Sequence, residues 1–308
     1  MTASAPVRLG VIGVGRWGQI CLRALSGITT ARVVAVASTN PQTAALVPAE
    51  CQIFSDWRQL IGLAGLEGAG LEGVVITTPP ASHAAIAALA IESGLPVFME
   101  KPLTLSLADA NLLRGLAEAH GARVFFTDHV HLFSPAFRHL KTLVAEAGPI
   151  LAVEGLAGNH GPYRQDTSVL WDWGPHDVAM LIDLFGRPPE LATVRHLERR
   201  QVAQGEGETI RLDMMFGTTP ATITLSTLSD KTRRFIVQCQ SGTLIYDDLA
   251  PAKLTCNAHP MTLESSPPLT VALTEFAAAI RAPGSNLCGL HLGVQVVEVL
   301  ERAKRSVL

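Results

Sequence analysis

The sequence predicts an α/β protein with two domains, an N-terminal doubly wound parallel sheet and a C-terminal α+β domain with a mostly antiparallel open sheet. Three observations predict this fold class. The first 130 residues alternate short apolar segments with helix-like segments. After residue 150, strand-like segments follow one another with few helices between them. The length of 308 residues is sufficient for two hydrophobic cores.

Composition and charge narrow the class of protein. Apolar residues make up 48% of the chain and charged residues 17%, which is typical of a folded globular protein. The net charge is −3 without a long basic run, so neither nucleic acid nor an anionic membrane surface is an expected partner. The five cysteines are widely spaced and lack a Cys-x-x-Cys motif, which favours a reducing, cytoplasmic environment. We expect neither a signal peptide nor a membrane span.

Five N-terminal segments have the composition of buried parallel strands, because they are short and apolar on both faces. Capping signals bound the helices between them, such as the capping-box pattern from Ser106 to Asp109. Repeated strand–helix–strand units imply a parallel sheet with helices on both faces. The predicted strands are 7–12, 32–37, 73–77, 96–99 and 123–127, and the predicted helices are 82–93, 106–120 and 135–148.

The C-terminal part has strand-like segments joined by short turns, as in an antiparallel sheet. We place the domain boundary near residue 127, which gives domains of residues 1–127 and 128–308. The predicted strands are 150–156, 191–197, 209–216, 221–227, 234–240 and 243–246, and the predicted helices are 175–185, 270–281 and 287–305.

A glycine-rich turn, "GVIGVGRWGQ", follows the first predicted strand and leads into a helix. In this context, Gly13, Gly15 and Gly18 form a G-x-G-x-x-G dinucleotide-binding pattern. Gly13 permits the tight turn, Gly15 lets the backbone approach a pyrophosphate, and Gly18 lets the helix pack on the strand. The helix N-terminus would then face the phosphates. The structural alternative is an ordinary strand–helix turn.

The second predicted strand ends without the acidic residue that commonly binds the ribose 2′-hydroxyl of NAD. Ser38, Thr39 and Asn40 stand there instead. A carboxylate would repel a 2′-phosphate, whereas hydroxyl and amide groups can bind one, and Arg16 could lie nearby. The sequence therefore favours NADP over NAD. The alternative is that Ser38 or Asn40 binds the ribose hydroxyls of NAD.

Two further motifs carry side chains suited to acid–base chemistry. In "VFMEKPLTLS", Glu100–Pro102 follows a predicted parallel strand, and ligands bind at that edge of such sheets. In "DWGPHD", Asp172 and His176 lie on either side of a helix start at Gly174–Pro175. The structural alternatives are a surface role for Lys101, a capping role for Asp172 and a first-turn position for His176.

These motifs together resemble the Gfo/Idh/MocA oxidoreductases, which include glucose–fructose oxidoreductase and inositol dehydrogenase. The resemblance covers most of the chain. "DHVHLFSPAFRHLK" and "GPYRQDTSVLWDWGPHD" are similar to the branch that acts on nucleotide-linked sugars. Pro80 and His131 depart from the pattern. The motifs that carry the resemblance are Gly13-x-Gly15-x-x-Gly18, Thr78-Pro79-x-x-x-His83, Glu100-Lys101-Pro102 and Asp172-x-Gly174-x-His176-Asp177.

The resemblance implies an NAD(P)-dependent oxidoreductase with an N-terminal Rossmann domain. Hydride would pass between nicotinamide and a ring carbon of a sugar, polyol or nucleotide-linked sugar. The C-terminal domain would bind substrate and pair subunits through its sheet into a homodimer or homotetramer. Two alternatives are a non-catalytic dinucleotide-sensing regulator and a reductase of a non-sugar ligand such as a linear tetrapyrrole. The presence of Lys101, Asp172 and His176 argues against the regulator.

The resemblance also implies residue roles. Lys101 would stabilise the developing alkoxide, His176 would act as the base, and Asp172, on the loop before the helix, would orient them. Glu100 would position the cofactor ribose or Lys101, and a cis Lys101–Pro102 bond is expected. Substrate would contact Lys101, His129, Tyr163, Arg164, Asp172 and His176. Cofactor would contact Gly13, Val14, Gly15, Arg16, Trp17, Gly18, Ser38, Thr39, Asn40, Thr77, Thr78, Pro79, His83, Glu100 and Lys101.

Three histidines have alternative interpretations. His129 and His131 form a His-x-His pattern on one face of a predicted strand, which is a possible metal spacing. A third ligand is not evident, so no metal is expected. His83 could bind the nicotinamide end of the cofactor or could be a packing residue near a helix cap.

Overall fold

The computed structural model describes residues 5–65, 70–163, 167–264 and 266–306. The chain divides into two compact units. The first contains Met1–Val130 and Pro267–Val294, and the second contains His131–Ser266 and Gln295–Leu308. Residues 267–294 therefore lie in the first unit, although the sequence analysis placed them in the C-terminal domain.

The first unit contains a six-stranded parallel sheet, which confirms the predicted doubly wound fold. The strand order is β3-β2-β1-β4-β5-β6, so the chain adds strands on one side of β1 up to β3 and on the other side from β4 onward. Sheets of this kind bind ligands at this switch point, at the carboxyl ends of β1 and β4. All five predicted strands form; the short strand β3, with Gln52 and Ile53 exposed, was missed. The strands are β1 Val7–Ile12, β2 Ala31–Ala37, β3 Gln52–Phe54, β4 Gly73–Ile76, β5 Val97–Glu100 and β6 Phe125–Asp128.

The predicted helices of the first unit form, whereas the short helix Trp57–Ile61 was not predicted. Ser106 caps α4 as its motif predicts, because its Oγ accepts the N–H of Asp109 at 3.1 Å. Phe276 of α8 packs against Phe98 and Phe126 of the sheet, with ring centroids 5.6 and 5.7 Å apart. This aromatic contact attaches α8 to the first unit. The helices are α1 Arg16–Ser26, α2 Trp57–Ile61, α3 His83–Glu92, α4 Leu107–Ala119 and α8 Pro268–Arg281, and the following helix Cys288–Arg305 belongs to both units.

The second unit contains an eight-stranded sheet of order β14-β13-β12-β11-β7-β10-β9-β8. Its pairs are antiparallel except for the parallel pair β7–β10, so the predicted mostly antiparallel sheet is confirmed. The strands are β7 Ile150–Gly158, β8 Leu191–Val202, β9 Gly205–Phe216, β10 Thr219–Ser226, β11 Thr232–Cys239, β12 Gly242–Asp247, β13 Leu254–Cys256 and β14 His259–Pro260. The helices in this unit are α5 Pro135–Glu146, α6 Val169–Asp172, α7 Gly174–Phe185 and the end of α9 Cys288–Arg305.

One face of this sheet remains open in the described residues. Leu151 and Leu156 of β7 and Leu191 and Leu197 of β8 are exposed large apolar side chains. The resemblance implies subunit pairing through this sheet. In the part of the chain that the structure describes, every helix is too short or too polar to cross a membrane.

A buried ion pair joins α7 to the sheet of the second unit. Arg233 Nη1 lies 2.9 Å from Asp177 Oδ2, and both residues are buried. Burial raises the pKa of Asp177, and the neighbouring guanidinium opposes that shift. Because Asp177 follows His176, this pair holds the first turn of α7 against β11.

We expect Arg233→Met to lower the free energy of unfolding by about 3–5 kcal/mol, because it leaves the Asp177 carboxylate buried without its cation. Urea denaturation measures the loss. Arg234→Met is the matched control, since Arg234 is exposed on the same strand, and it should have little effect. Equal losses for the two variants would contradict a structural role for the pair.

Candidate functional site

The glycine-rich turn joins β1 to α1 with no room for side chains at two positions. Gly13 has a φ of 95°, and a Cβ there would lie 3.0 Å from the Thr78 nitrogen. A Cβ on Gly18 would overlap the carbonyl oxygen of Gly13. Gly15 differs, because a Cβ there would meet no atom within 4 Å. Gly13 and Gly18 are thus required for packing, whereas Gly15 faces open space.

The N-terminus of α1 is suited to an anion. Gly15 is the N-cap and supplies no side-chain oxygen to the first turn, which also has no acidic residue. Free N–H groups and the helix dipole favour negative charge at such a position. Arg16, the first helical residue, and Trp17 are both exposed.

Polar side chains from neighbouring strands support the backbone of this turn. Thr77 Oγ1 donates to the carbonyl oxygen of Gly13 at 2.6 Å. Asn40 Nδ2 donates to the carbonyl oxygen of Val14 at 2.8 Å. Ser38 Oγ accepts the backbone N–H of Asn40 at 3.0 Å. Thr77 and Asn40 therefore position the turn through their own side chains.

A cavity of about 420 Å³ opens beside the turn, at the carboxyl ends of β1, β2 and β4. Its volume lies within the range of small-molecule sites. None of its lining residues is acidic. The predicted residues Arg16, Trp17, Gly18, His83, Glu100 and Lys101 are outside its lining. The cavity is lined by Ile12, Gly13, Val14, Gly15, Ala37, Ser38, Thr39, Asn40, Ser55, Trp57, Thr77, Thr78 and Pro79.

Two lining residues, Ser55 and Trp57, were not predicted, because the strand that precedes them, β3, was not predicted either. A signal was present, since Asp56 is an N-cap whose side chain accepts the N–H of Arg58 at 2.9 Å. The Arg58 guanidinium stacks 4.2 Å above the Trp57 ring, which places a cation beside a lining residue.

His83 links two loops of the first unit. Its Nδ1 lies 2.9 Å from the carbonyl oxygen of Pro102, and its Nε2 lies 2.9 Å from that of Thr78. Burial lowers the pKa of this histidine, so the ring is neutral and donates through one nitrogen at a time. His83 thus connects the loop after β4 to the loop that follows Lys101, in keeping with the packing alternative.

Lys101 follows the last residue of β5 and is half-buried. The Lys101–Pro102 bond is cis, as expected. Glu100 ends β5 and pairs in register with Asp128, which ends β6. Asp128 was not predicted as a site residue. The sequence feature that could have identified it is an acidic residue at the carboxyl end of a predicted strand, as Glu100 is at the end of β5.

The His-x-His pattern does not lie on one face of a strand, contrary to the prediction. β6 ends at Asp128, and His131 lies on a 3₁₀ turn, Val130–Phe133. His129 is buried, and burial lowers its pKa to about 3, so the ring is neutral. No described residue forms a hydrogen bond with either ring nitrogen of His129. Within the described ranges, no group of three or more His, Cys, Asp or Glu residues could hold a metal.

In the second unit, His176 lies in the first turn of α7, as predicted. Asp172, however, ends the short helix α6 rather than lying on a loop. The helix forms because the carbonyl oxygen of Ser168 accepts the N–H groups of Trp171 and Asp172. The His176 ring packs edge-on against His131, with centroids 5.1 Å apart.

Besides His176, the His131 ring contacts a tyrosine. Its Nδ1 lies 3.0 Å from the hydroxyl oxygen of Tyr246, a buried residue of β12.

Tyr163 and Asp172 line a small cavity of about 20 Å³ with Glu206 and Glu208. The predicted contact Arg164 lies outside the described residues.

Gly15→Ala and Gly18→Ala form a matched pair of variants. We expect Gly15→Ala to fold normally but to weaken NADH and NADPH binding, because the methyl group occupies the open space beside the turn. Gly18→Ala should weaken binding and lower the free energy of unfolding by about 1–3 kcal/mol, as overpacking does. Cofactor titration by fluorescence and urea denaturation measure the two effects. Unchanged affinity in Gly15→Ala would contradict the assignment of the turn.

Comparisons with known proteins agree with this geometry. Residues 7–128 match the Gfo/Idh/MocA family, an oxidoreductase family with an NAD-binding Rossmann fold. A protein of Magnetospirillum magnetotacticum MS-1 with a known crystal structure, assigned as an oxidoreductase, has 42% sequence identity to this chain. That similarity covers 97% of this chain and 99% of that chain, with a TM-score of 0.91.

Two curated relatives match over shorter segments. UDP-N-acetylglucosamine 3-dehydrogenase from Acidithiobacillus ferrooxidans is 31% identical over 59% of this chain and 56% of its own length. Inositol 2-dehydrogenase 1 from Saccharopolyspora erythraea is 34% identical over 47% of this chain and 42% of its own length. The chain thus spans about half the length of these curated relatives.

Proposed function

Since the chain belongs to the Gfo/Idh/MocA family of oxidoreductases with an NAD-binding Rossmann fold, we propose that it is an NAD(P)-dependent dehydrogenase. Its substrate is a sugar, polyol or nucleotide-linked sugar that carries a secondary alcohol on a ring carbon. The observation that carries this proposal is the cavity at the carboxyl ends of β1, β2 and β4, beside the glycine-rich turn. Its position and lining fit a dinucleotide.

The residues of the chain supply the groups that alcohol oxidation needs. A bound nicotinamide would accept the hydride from the ring carbon. The Lys101 ammonium donates to the developing alkoxide, and His176 accepts the hydroxyl proton. Asp172 orients these groups. The edge-on contact with His131 supports the His176 ring in the second unit.

The names of two curated relatives support the substrate class. One is a dehydrogenase of UDP-N-acetylglucosamine at position 3, and the other is a dehydrogenase of inositol at position 2. Both reactions oxidise a secondary alcohol on a six-membered ring. The proposal for this chain rests on that shared chemistry.

A substrate panel tests the proposal. Free sugars, inositols and nucleotide-linked sugars are each incubated with NAD or NADP, and nicotinamide absorbance is followed. The reverse reaction is assayed with the corresponding ketones. Turnover of one class supports the proposal. If the protein binds the cofactor but turns over no cyclic alcohol or ketone, the non-catalytic regulator is favoured.

We expect Lys101→Ala to lower kcat by about 10²-fold or more, because the alkoxide loses its cation. Affinity for NADPH should change little, since Lys101 lies outside the cavity lining. Lys231→Ala removes an exposed lysine and serves as the control. Normal turnover by Lys101→Ala would show that Lys101 is a surface residue without a catalytic role.

We further propose that the cofactor is NADP. No acidic residue lines the described cavity, where Ser38, Thr39 and Asn40 follow β2. The Arg58 guanidinium stacks on the ring of Trp57, which lines the cavity. A 2′-phosphate would therefore meet hydroxyl and amide groups in the cavity lining. The Arg58 guanidinium, whose Nη1 lies 3.5 Å from Asp56 Oδ1, is the nearest cation that follows the lining residue Trp57 in the chain.

We expect Ser38→Asp to weaken NADPH binding by about tenfold or more, because like charges repel in a confined site. NADH binding should be retained or improved. Ser38→Asn, which has similar size without the charge, separates the electrostatic effect from the steric one. Titration of both cofactors measures the preference, and strong selectivity of the unmodified protein for NAD would refute the NADP assignment.

A further inference from the structure

Two carboxyl groups lie side by side at the carboxyl end of the parallel sheet, and one of them, Glu100, directly precedes Lys101 in the chain. Glu100 and Asp128 are in register at the ends of adjacent strands, so their side chains point to the same face of the sheet. Glu100 is 7% exposed and Asp128 is 1% exposed. Buried acidic residues are rare unless they are paired or hydrogen-bonded.

The protein supplies few donors to these two groups. Glu100 Oε2 accepts the backbone N–H of Lys101 at 3.2 Å. In the described chain, Glu100 Oε1 and both carboxylate oxygens of Asp128 are buried and meet no N–H or O–H donor from another residue. The two carboxyl groups do lie within hydrogen-bonding reach of each other. Two carboxylates cannot form that bond, because each is an acceptor only.

The surroundings of the pair disfavour two negative charges. Burial and the charge of Asp128 raise the pKa of Glu100 well above its usual range, and burial also raises that of Asp128. The Lys101 ammonium opposes both shifts. Cys21 of α1 faces both acids, and burial holds its thiol pKa high, so it remains neutral. His129 is neutral as well, so a single ammonium faces two acids from these neighbouring elements.

We propose that Glu100 and Asp128 hold one proton between them, with Glu100 as the donor and Asp128 as the acceptor, and that this singly charged pair positions Lys101. One negative charge balances one ammonium. A doubly ionised pair would draw the ammonium toward the acids and away from a substrate hydroxyl. Asp128 is thus a positioning residue that acts through Glu100. The role of Lys101 rests on the function proposed above, whereas the shared proton does not.

Infrared spectroscopy of the full-length protein at pH 7 detects the shared proton, because a protonated carboxyl group has its own carbonyl-stretching band. Glu100→Gln and Asp128→Asn each replace one acid by an amide that donates to the remaining carboxylate without an added proton. We expect both variants to lose one such band. Glu154→Gln, which removes an exposed carboxylate, should retain it. Absence of the band in the unmodified protein, or its persistence in both amide variants, would overturn the proposal.

The pH dependence of stability gives a second readout. The folded-state pKa of Glu100 lies above its unfolded value, so its contribution to stability is complete below the unfolded pKa and is lost as pH rises through the folded pKa. Glu100→Gln keeps its donor at every pH. The melting temperature of the unmodified protein should therefore fall more steeply from pH 5 to pH 9 than that of Glu100→Gln. Parallel curves would refute proton sharing.

Kinetics test the positioning of Lys101. Asp128→Asn should retain most of kcat, whereas Asp128→Leu, which removes the acceptor, should lower kcat by about 10- to 100-fold through misplacement of Lys101. The dissociation constant for NADPH should be the same in both. Equal kcat values for the two variants would overturn the positioning role. If Asp128→Leu does not fold, the same comparison is made between the kcat of Asp128→Asn and that of Asp128→Ala, which also removes the acceptor.

The two proposals fail in distinguishable ways. Loss of the band in both amide variants without turnover of any cyclic alcohol would refute the proposed function and support the shared proton. Turnover of a cyclic alcohol without a protonated carboxyl band in the unmodified protein would support the proposed function and refute the shared proton.

Discussion

The close crossing of β1 and α1 at the glycine-rich turn is the constraint on which the candidate site depends. A side chain at Gly18 would overlap the carbonyl oxygen of Gly13, and Gly13 itself has a left-handed backbone conformation. Without this contact, α1 could not begin directly at the end of β1. Gly15 lies between these two glycines, where a side chain would meet open space, and the first turn of the helix carries no acidic residue. The hydrogen bonds from Thr77 and Asn40 then hold the turn in place.

Buried polar groups organise the rest of the site within each unit. In the first unit, His83 connects the loops after β4 and β5, and Glu100 accepts the N–H of Lys101. In the second, the ion pair of Asp177 and Arg233 holds the first turn of α7, where His176 lies. Each of these groups acts on a neighbour of a candidate catalytic residue. Their cost of burial is offset by bonds that restrict the backbone there.

Two neighbouring strands, β5 and β6, each end in an acidic residue at the carboxyl end of the parallel sheet, Glu100 and Asp128. The half-buried Lys101, two buried acids and a neutral histidine therefore lie together at the ends of β5 and β6. The number of protons in such a cluster depends on the whole group rather than on any one residue. The protonation of these two acids thus depends on the Lys101 ammonium and on each other, and neither acid need touch a substrate.

The fold class, five of the six strands of the parallel sheet, the glycine-rich turn and the start of α7 could be predicted from the sequence. These features are local, because apolar runs, capping residues and glycine spacing express their preferences within a few residues. The folded structure was needed to show that β3 joins the sheet, that Ser55 and Trp57 line the cavity, that Asp172 ends a helix and that Asp128 stands beside Glu100. It also decided that α8 belongs to the first unit, where Phe276 packs against Phe98 and Phe126. Such contacts join residues far apart in the chain, and their register and packing depend on the folded backbone rather than on neighbouring residues.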